Sequence, residues 1–215
     1  MDFIYYLLLA AALTISYLLG SIPTAYLAGR LRKKTDIRQI GSKNVGAMNV
    51  FYNVGFVAGL IVLTIDIGKG ALAVFLTEKI LGIPNQPVTW MQYVSGIVVV
   101  LGHSFPVWLK FRGGKGGATC IGVLAEVIPW GIPFYLGSFL LLTLITRFPT
   151  LSYGVAFIAY TLVAWLVYHQ GTLVIYSLAI LLIPALLYIP RIKEMYRKGG
   201  SWKRVLKRRN LQDRF

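Results

Sequence analysis

The sequence contains few of the groups that stabilise or operate soluble enzymes. It has one cysteine, Cys120, and two histidines among 215 residues, so no intramolecular disulfide can form. Only seven residues are Asp or Glu, and there is no HExxH motif, Cys/His cluster, GxSxG motif or pair of loop carboxylates. Metal-dependent hydrolysis and a serine-hydrolase triad are therefore disfavoured, and we expect neither a metal nor a cofactor.

Apolar residues are abundant: 57% of the chain is hydrophobic and its mean hydropathy is +0.68. A soluble core of this size does not use so many, so we predict an all-α, polytopic integral membrane protein. Apolar runs predict seven transmembrane helices, at residues 4–28, 54–77, 90–109, 118–129, 130–145, 150–168 and 172–189. The first run follows Asp2, where a secretory signal would carry Lys or Arg, and we interpret it as a retained span.

The positive charge flanks these runs. Of 22 Lys and Arg residues, six lie in residues 30–43, three in 110–115 and ten from Arg191 onward. This placement indicates membrane orientation rather than a nucleic-acid partner. We predict an amino terminus outside and a carboxyl terminus in the cytoplasm, with one seven-helix membrane domain at residues 1–190 and cytoplasmic loops at 29–53 and 110–118.

The predicted fourth span, residues 118–129, is shorter than the roughly 20 residues that cross a bilayer. One kinked helix from 118 to 145 would leave six spans, but Arg147 and the basic tail could not then both join the earlier basic loops inside. The charges favour seven spans, with the start of the short helix recessed into a cytoplasmic pocket. The basic tail, residues 191–215, is either an interfacial helix on anionic lipid or solvated charge that fixes orientation.

The segment before this short span has a composition suited to phosphate. Gly113, Gly114, Gly116 and Gly117 surround Lys115, so backbone N–H groups can turn toward an anion, and Thr119 is expected to cap the helix that follows. The spacing does not match a nucleotide-binding P-loop, because the lysine precedes a glycine rather than Ser or Thr. The alternative is a flexible turn that carries charge on the inner side.

A second polar segment precedes the second span. It contains Ser42 and the amides Asn44 and Asn49, which can orient a phosphate or polyol, and Lys43, which can neutralise charge. Without the other loop, this segment is more typical of a turn with a helix cap. His103 at the end of the third span is a candidate proton carrier or phosphate ligand, although a lone histidine there is more often structural. Within the second span we expect Asp66 and Lys69 to pair, and Cys120 is expected to pack.

Taken together, the two loops resemble the bacterial acyl-phosphate:glycerol-3-phosphate acyltransferase family, often called PlsY. That family typically reads GSGN-x-GA-x-N-x-x-R in the first loop, and GH-x-FP followed by F-x-GGKG-x-AT in the second. The second pattern is nearly complete at residues 102–119, and the first is recognisable from Gly41 to Asn49. The resemblance also covers the chain length, the stretch from Asp66 to Gly70 and the seven-span plan.

The resemblance implies acyl transfer from acyl phosphate to the 1-hydroxyl of glycerol 3-phosphate, which forms lysophosphatidic acid and phosphate in phospholipid biosynthesis. With the chemistry of the loops, it predicts catalytic roles for Ser42, His103 and Lys115. The predicted substrate-binding residues are Lys43, Asn44, Gly46, Asn49, Gly113, Gly114, Gly116, Gly117, Thr119 and Arg191. No metal, nucleotide or coenzyme A is implied, and either a substrate phosphate or His103 takes the hydroxyl proton. The implied location is the bacterial inner membrane, with a monomeric enzyme and a site facing the cytoplasm.

The sequence departs from the family pattern at several positions. The arginine of the first motif falls at Tyr52, its second glycine at Lys43 and its threonine at Met48. A third motif, usually HREN-like, is matched poorly by the segment from Pro190 to Glu194, where its histidine falls at Pro190 and its asparagine at Lys193. A transporter, or a noncatalytic binding protein for a phosphorylated solute or lipid, is therefore the alternative function.

Overall fold

The computed structural model describes residues 3–83 and 87–206, and all regular secondary structure in this part of the chain is helical. The helices are α1 (Phe3–Ser21), α2 (Thr24–Lys33), α3 (Ala47–Asn53), α4 (Phe56–Leu81), α5 (Trp90–Ser104), α6 (Gly117–Val127), α7 (Gly131–Thr146), α8 (Pro149–Ala156), α9 (Ile158–Leu166), α10 (Gly171–Gly199) and α11 (Trp202–Leu206). Single 3-10 turns lie at Ile37–Gln39 and Val107–Leu109. The all-α prediction is confirmed.

Five helical segments of the described chain are long and apolar enough to cross a membrane: Phe3–Lys33, Phe56–Leu81, Trp90–Leu109, Pro149–Leu166 and Gly171–Gly199. Two shorter apolar helices, α6 and α7, lie where the sequence predicts the fourth and fifth spans. The structure thus has helices at all seven predicted positions. The number of membrane crossings and their orientation stay predictions.

Three predicted spans differ clearly from the observed helices. The sixth, residues 150–168, is divided between α8 and α9. The first is interrupted after Ser21, because Pro23 has no N–H to donate, and α2 starts at Thr24. The last continues ten residues past Ile189, through Pro190, and ends at Gly199, after which Gly200 adopts a left-handed conformation. The boundary predicted at residue 190 therefore falls inside α10. Of the tail, for which an interfacial helix is one of the two predicted alternatives, Trp202–Leu206 form α11 and residues 207–215 lie outside the described residues.

The chain forms two compact units that divide after Val127. In the first unit, α1 packs on α5 and α4 packs on α6, and both pairs approach closely. A Cβ at Gly20 or Gly102 would overlap the backbone of the facing helix, and the same holds for Gly70 and Gly122 between α4 and α6. Small residues at these crossings allow the backbone contact on which helix association in a membrane depends.

Buried hydroxyl groups connect three helices of the first unit. The Ser95 hydroxyl of α5 lies 2.9 Å from that of Ser16 in α1 and accepts a 2.8 Å hydrogen bond from Thr77 in α4. The Ser95 hydroxyl also lies within hydrogen-bond distance, 3.1 Å, of the Ala73 carbonyl. These contacts fix the relative positions of α1, α4 and α5 along their axes. The second glycine loop starts at the end of α5.

The second unit contains α7 to α11. Tyr135, Phe157 and Tyr160 form a buried aromatic cluster, and Gly131 packs directly against the Tyr160 ring. A smaller apolar cluster joins Phe148 to Met195 and brings α11 back against α10. This unit therefore has a core of its own.

Candidate active site

Asn49 organises the first loop. Its side chain is buried, and its Nδ2 atom donates to the carbonyls of Ile37, Ile40 and Asn44 at 3.0, 3.1 and 3.0 Å. Its Oδ1 atom accepts from the Ser42 backbone N–H at 3.2 Å. The amide therefore holds the loop closed from the inside, a structural role that the sequence analysis did not assign to this predicted substrate ligand.

The loop turns through two left-handed residues. Gly41 has φ 56°, and a Cβ there would overlap the side chains of Asn49 and Asn53. Lys43 has φ 58° and stands where the family pattern has its second glycine. The left-handed turn explains why glycine suits that position, and here the turn presents an exposed lysine together with exposed Ser42.

The second loop folds back onto the end of α5. The N–H groups of Gly113 and Gly114 donate to the carbonyls of Ser104 and His103, both at 3.1 Å. Gly116 is left-handed, with φ 82°, and its carbonyl accepts from the Cys120 N–H as α6 begins. The buried glycines thus lead into a helix N-terminus, the arrangement that binds anions.

Thr119 does not cap this helix as the sequence predicts. It lies in the first turn of α6, and its fully buried Oγ1 atom has no hydrogen-bond partner among the described residues. The predicted cap is wrong because the helix already starts at Gly117. Its role in substrate binding stays a prediction.

The two loops meet at Gly114. A Cβ on this buried residue would overlap both the Nε2 atom of His103 and the carbonyl oxygen of Val45 in the first loop. Gly114 is thus held between the two segments that the sequence singles out. The structure brings the glycine loops and His103 together, as the prediction of one shared site requires.

Behind His103 lies a buried charge cluster. The predicted pair of Asp66 and Lys69 is present, with Lys69 Nζ 2.8 Å from Asp66 Oδ1 and both side chains almost inaccessible to solvent. Thr24 donates to the same oxygen at 2.7 Å, and His103 Nδ1 lies 3.6 Å from it. Lys69 also donates to the Ile22 carbonyl, at the break between α1 and α2. The cluster therefore ties α2, α4 and α5 together beneath the loops.

A pocket of about 860 Å³ opens in front of both loops. Residues of both loops line the pocket, many of them cationic or aromatic. They are Tyr26, Asp36, Arg38, Gln39, Lys43, Val45, Trp108, Leu109, Lys110, Arg112 and Gly113. Four of these residues are cations and one is an acid. Such a surface suits a small anion with polar substituents.

Arg38 is held in a fixed orientation within this pocket. Its Nε and Nη2 atoms donate to the Asp36 carboxylate, and its guanidinium lies 5.3 Å from the centre of the Tyr26 ring. The Arg38 hydrogen bonds hold the pKa of the Asp36 carboxyl below its ordinary value, and the carboxylate in turn raises the pKa of Arg38. Both groups are therefore charged at neutral pH.

The remaining predicted site residues fall into two groups. Asn44 and Gly46 lie in the first loop, and Lys115 lies half-buried among the glycines of the second. Arg191 belongs to the second unit, where it pairs with Glu194 at 2.5 Å. The prediction missed Arg38 and its Asp36 partner, although an acid two residues before an arginine, both within the first basic loop, was a readable signal.

Comparison with known proteins decides the family. The model of the glycerol-3-phosphate acyltransferase family matches residues 10–198. The chain belongs to this family. It is 54% identical over 209 residues to glycerol-3-phosphate acyltransferase 2 of Dehalococcoides mccartyi strain CBDB1, covering 95% of this chain and 96% of the relative. The glycerol-3-phosphate acyltransferase of Synechocystis is 46% identical over 159 residues, 71% of this chain and 72% of the relative.

Solved structures give the same family. The crystal structure of PlsY, an integral membrane glycerol 3-phosphate acyltransferase, in its glycerol 3-phosphate form superposes with a TM-score of 0.79 and 28% identity, covering 88% of this chain and 92% of that one. The lysophosphatidic acid form of the same enzyme gives a TM-score of 0.76. The predicted family and the membrane acyltransferase class are confirmed.

Proposed function

We propose that this chain transfers an acyl group from acyl phosphate to the 1-hydroxyl of glycerol 3-phosphate, forming lysophosphatidic acid and inorganic phosphate. The observation that supports it most is the meeting of the two glycine loops at Gly114, beside a pocket lined by four cations. The site therefore offers donors for two phosphates. That suits a reaction whose donor, a mixed anhydride, is already activated.

The reaction balances with these groups alone. The acceptor hydroxyl oxygen bonds to the acyl carbon, the bond from that carbon to the phosphate oxygen breaks, and phosphate leaves with the electron pair. Lys115 and the N–H groups at the start of α6 stabilise the negative charge that develops on the phosphate and on the acyl oxygen. The N–H groups of Gly113 and Gly114 already donate to the carbonyls of Ser104 and His103. Ser42, exposed beside the pocket, helps to orient the acceptor.

The hydroxyl proton passes to a phosphate oxygen or to His103, the two candidates of the sequence analysis. The His103 side chain is only 7% exposed, its Nδ1 atom faces Asp66, and its Nε2 atom lies against Gly114. Neither ring nitrogen opens into the pocket lining. This favours the phosphate as base and His103 as the residue that positions Gly114.

A purified sample in detergent, given palmitoyl phosphate and labelled glycerol 3-phosphate, is expected to release phosphate and form lysophosphatidic acid. Lys115→Ala is expected to abolish turnover without unfolding, whereas Lys34→Ala, an exposed lysine of the first basic loop, leaves turnover unchanged. No product from the wild type, under conditions in which a closely matched family member is active, would refute the donor assignment. Wild-type rates for Lys115→Ala would remove that lysine from the mechanism.

The transport alternative depends on Asp66 and Lys69 as charges within the membrane. In the structure Lys69 pairs with Asp66 and with the Ile22 carbonyl, which gives both charges a structural role. Glycerol 3-phosphate flux into proteoliposomes without acyl transfer would favour transport, and substrate binding without either activity would favour a noncatalytic relative.

The proposed arrangement in the cell follows the distribution of charge. It consists of seven spans in one membrane domain up to residue 190, an external amino terminus, a site facing the cytoplasm and a basic tail on anionic lipid, in a monomeric protein of the bacterial inner membrane. The orientation is tested by replacing Lys34 or Lys79 with cysteine, one at a time, and labelling the protein in intact cells. Labelling by an impermeant reagent is expected only at position 79.

A further inference from the structure

The buried ion pair of α4 is not explained by stability. The side chains of Asp66 and Lys69 are 1% and 3% exposed, near the middle of a helix long and apolar enough to cross a membrane. An ion pair in such surroundings loses hydration that its own attraction seldom offsets, and an apolar pair of similar volume is often at least as stable. The Oδ2 atom of Asp66 is also buried and has no hydrogen-bond partner among the described residues, which adds to the cost. We therefore expect the pair to have another role.

The contacts of Asp66 converge on one oxygen and lead to His103. The Oδ1 atom lies 2.8 Å from Lys69 Nζ and accepts from the Thr24 hydroxyl at 2.7 Å, so donors from α4 and α2 fix the carboxylate. The same oxygen lies 3.6 Å from the Nδ1 atom of His103, in the last turn of α5. A carboxylate on this side attracts a proton to Nδ1, which leaves Nε2 as the unprotonated nitrogen of the neutral ring. Asp66 therefore determines both the orientation and the proton position of His103.

His103 transmits this orientation to the second loop. Its carbonyl accepts from the Gly114 N–H at 3.1 Å, and its Nε2 atom lies against the same residue. Gly114 also lies against the Val45 carbonyl of the first loop, so a rotation of the ring changes the distance between the loops. The buried carboxylate of Asp66 thus controls a contact made at the candidate active site.

We propose that Asp66 is a positioning residue for acyl transfer, and that Lys69 and Thr24 hold its carboxylate in place. Asp66 acts through His103, which sets the position of Gly114 between the two glycine loops. The charges are then needed for the geometry of the site, and an apolar pair would preserve the fold without that geometry. The inference rests on the proposed function for the reaction that the contacts assist.

The first test removes both charges and keeps the site apolar. Asp66→Leu combined with Lys69→Met is expected to melt above Asp66→Asn, which leaves the lysine buried alone. The kcat/KM of this double variant for glycerol 3-phosphate is nevertheless expected to fall at least about tenfold, because a displacement on the order of 1 Å lowers turnover about 100-fold in a site that works by positioning. Wild-type kcat/KM in the double variant would refute the positioning role.

Thr77→Val is the matched control. It removes a buried hydrogen bond from α4 to Ser95 in α5, away from the two loops. The melting temperature is expected to fall, with kcat/KM unchanged, because this contact stabilises the helices without reaching His103. An equal loss of kcat/KM in Thr77→Val would show that any weakened helix contact lowers activity, and would remove the special role of Asp66.

A double-mutant cycle tests whether Asp66 acts through His103. Asp66→Asn and His103→Gln are measured singly and together. If both residues act through one contact, the double variant is expected to lose at most about twofold more kcat/KM than the less active single variant, whereas independent roles multiply the two losses. Multiplied losses would refute His103 as the intermediary.

Hydrogen exchange of residues 110–118 gives a measurement that needs no acyl donor. The Gly113 and Gly114 N–H groups donate to the end of α5, so their exchange is expected to accelerate at least about tenfold in Asp66→Leu/Lys69→Met and to keep the wild-type rate in Thr77→Val. If the wild type forms no lysophosphatidic acid while this acceleration is observed, the proposed function fails and the positioning role stands. Wild-type exchange in Asp66→Leu/Lys69→Met would refute the positioning role, whatever the turnover.

Discussion

Gly114→Ala tests whether contact between the loops is required for activity. Gly114 is buried, and an added methyl group would overlap two groups that cannot easily retreat. One is the Val45 carbonyl, which belongs to a loop held closed by Asn49. The other is the His103 ring, which lies against the Asp66 cluster. The two loops must therefore separate to accept the methyl group.

The size of the effect follows from that geometry. Inserting a methyl group into a fully packed site costs about 1–3 kcal/mol of stability, because the backbone has to shift. A displacement on the order of 1 Å in a site that works by positioning lowers turnover about 100-fold. We therefore expect a large loss of kcat with only modest loss of thermal stability.

The assay is acyl transfer from palmitoyl phosphate in detergent, with thermal denaturation of the same samples. Gly68→Ala is the control, because Gly68 lies in α4 of the same unit and a Cβ there meets nothing within 4 Å. The control is expected to keep wild-type kcat and melting temperature. If Gly114→Ala keeps more than half of wild-type kcat, the contact between the loops is not part of the catalytic geometry.

Three further predictions concern the support of the site. Asn49→Asp replaces a donor to three carbonyls with an acceptor. The free energy of unfolding is therefore expected to fall by about 1–3 kcal/mol, and proteolysis of the first loop is expected to accelerate. Unchanged proteolysis would contradict the role of Asn49 in holding the first loop closed. Asp66→Asn leaves the Lys69 charge buried and uncompensated, which is expected to lower the free energy of unfolding by about 3–5 kcal/mol. Adding Lys69→Met is expected to recover part of the melting temperature. An equal loss in the double variant would exclude the buried charge as the cause. Because Arg38 lowers the pKa of Asp36, their contact stabilises the loop above the ordinary Asp pKa of 3.8 and is lost as the pH falls through the lowered value. Hydrogen exchange of residues 35–40 along a descending pH series is expected to show this step, and Asp36→Asn to remove it.

Hydropathy was sufficient to predict the positions of the long apolar helices, because membrane spans are long and locally encoded, but it did not predict α3 within the first loop. Nor could it predict the break at Pro23 or the continuation of α10 through Pro190. A proline removes one hydrogen bond in both cases, and the neighbouring contacts decide whether the helix ends. At the first break, Lys69 donates to the Ile22 carbonyl, a long-range contact that no local pattern reveals.

Composition likewise predicted the two loops but not the contacts that hold them in place. A run of glycines around a lysine indicates an anion site wherever it occurs. That Asn49 closes the loop from inside, or that Arg38 is oriented by Asp36 and Tyr26, depends on chain segments meeting in three dimensions. Sequence resemblance predicted the reaction, and the structure brought Lys43, Lys110 and Arg112 together with Arg38 around one pocket.

Two departures from the family pattern become related in the structure. The arginine of the first motif is replaced by Tyr52, which removes a guanidinium, and the second glycine is replaced by Lys43. A left-handed residue other than glycine costs about 1 kcal/mol or more, so the lysine is disfavoured by local conformation alone. It nevertheless lines the pocket beside Lys110 and Arg112, where an ammonium adds to the field that attracts a phosphate. If the lysine offsets the missing arginine, Lys43→Gly is expected to weaken glycerol 3-phosphate binding although it relieves the backbone, and adding Tyr52→Arg is expected to restore it. Tighter binding by Lys43→Gly alone would show that conformation, not charge, governs this position.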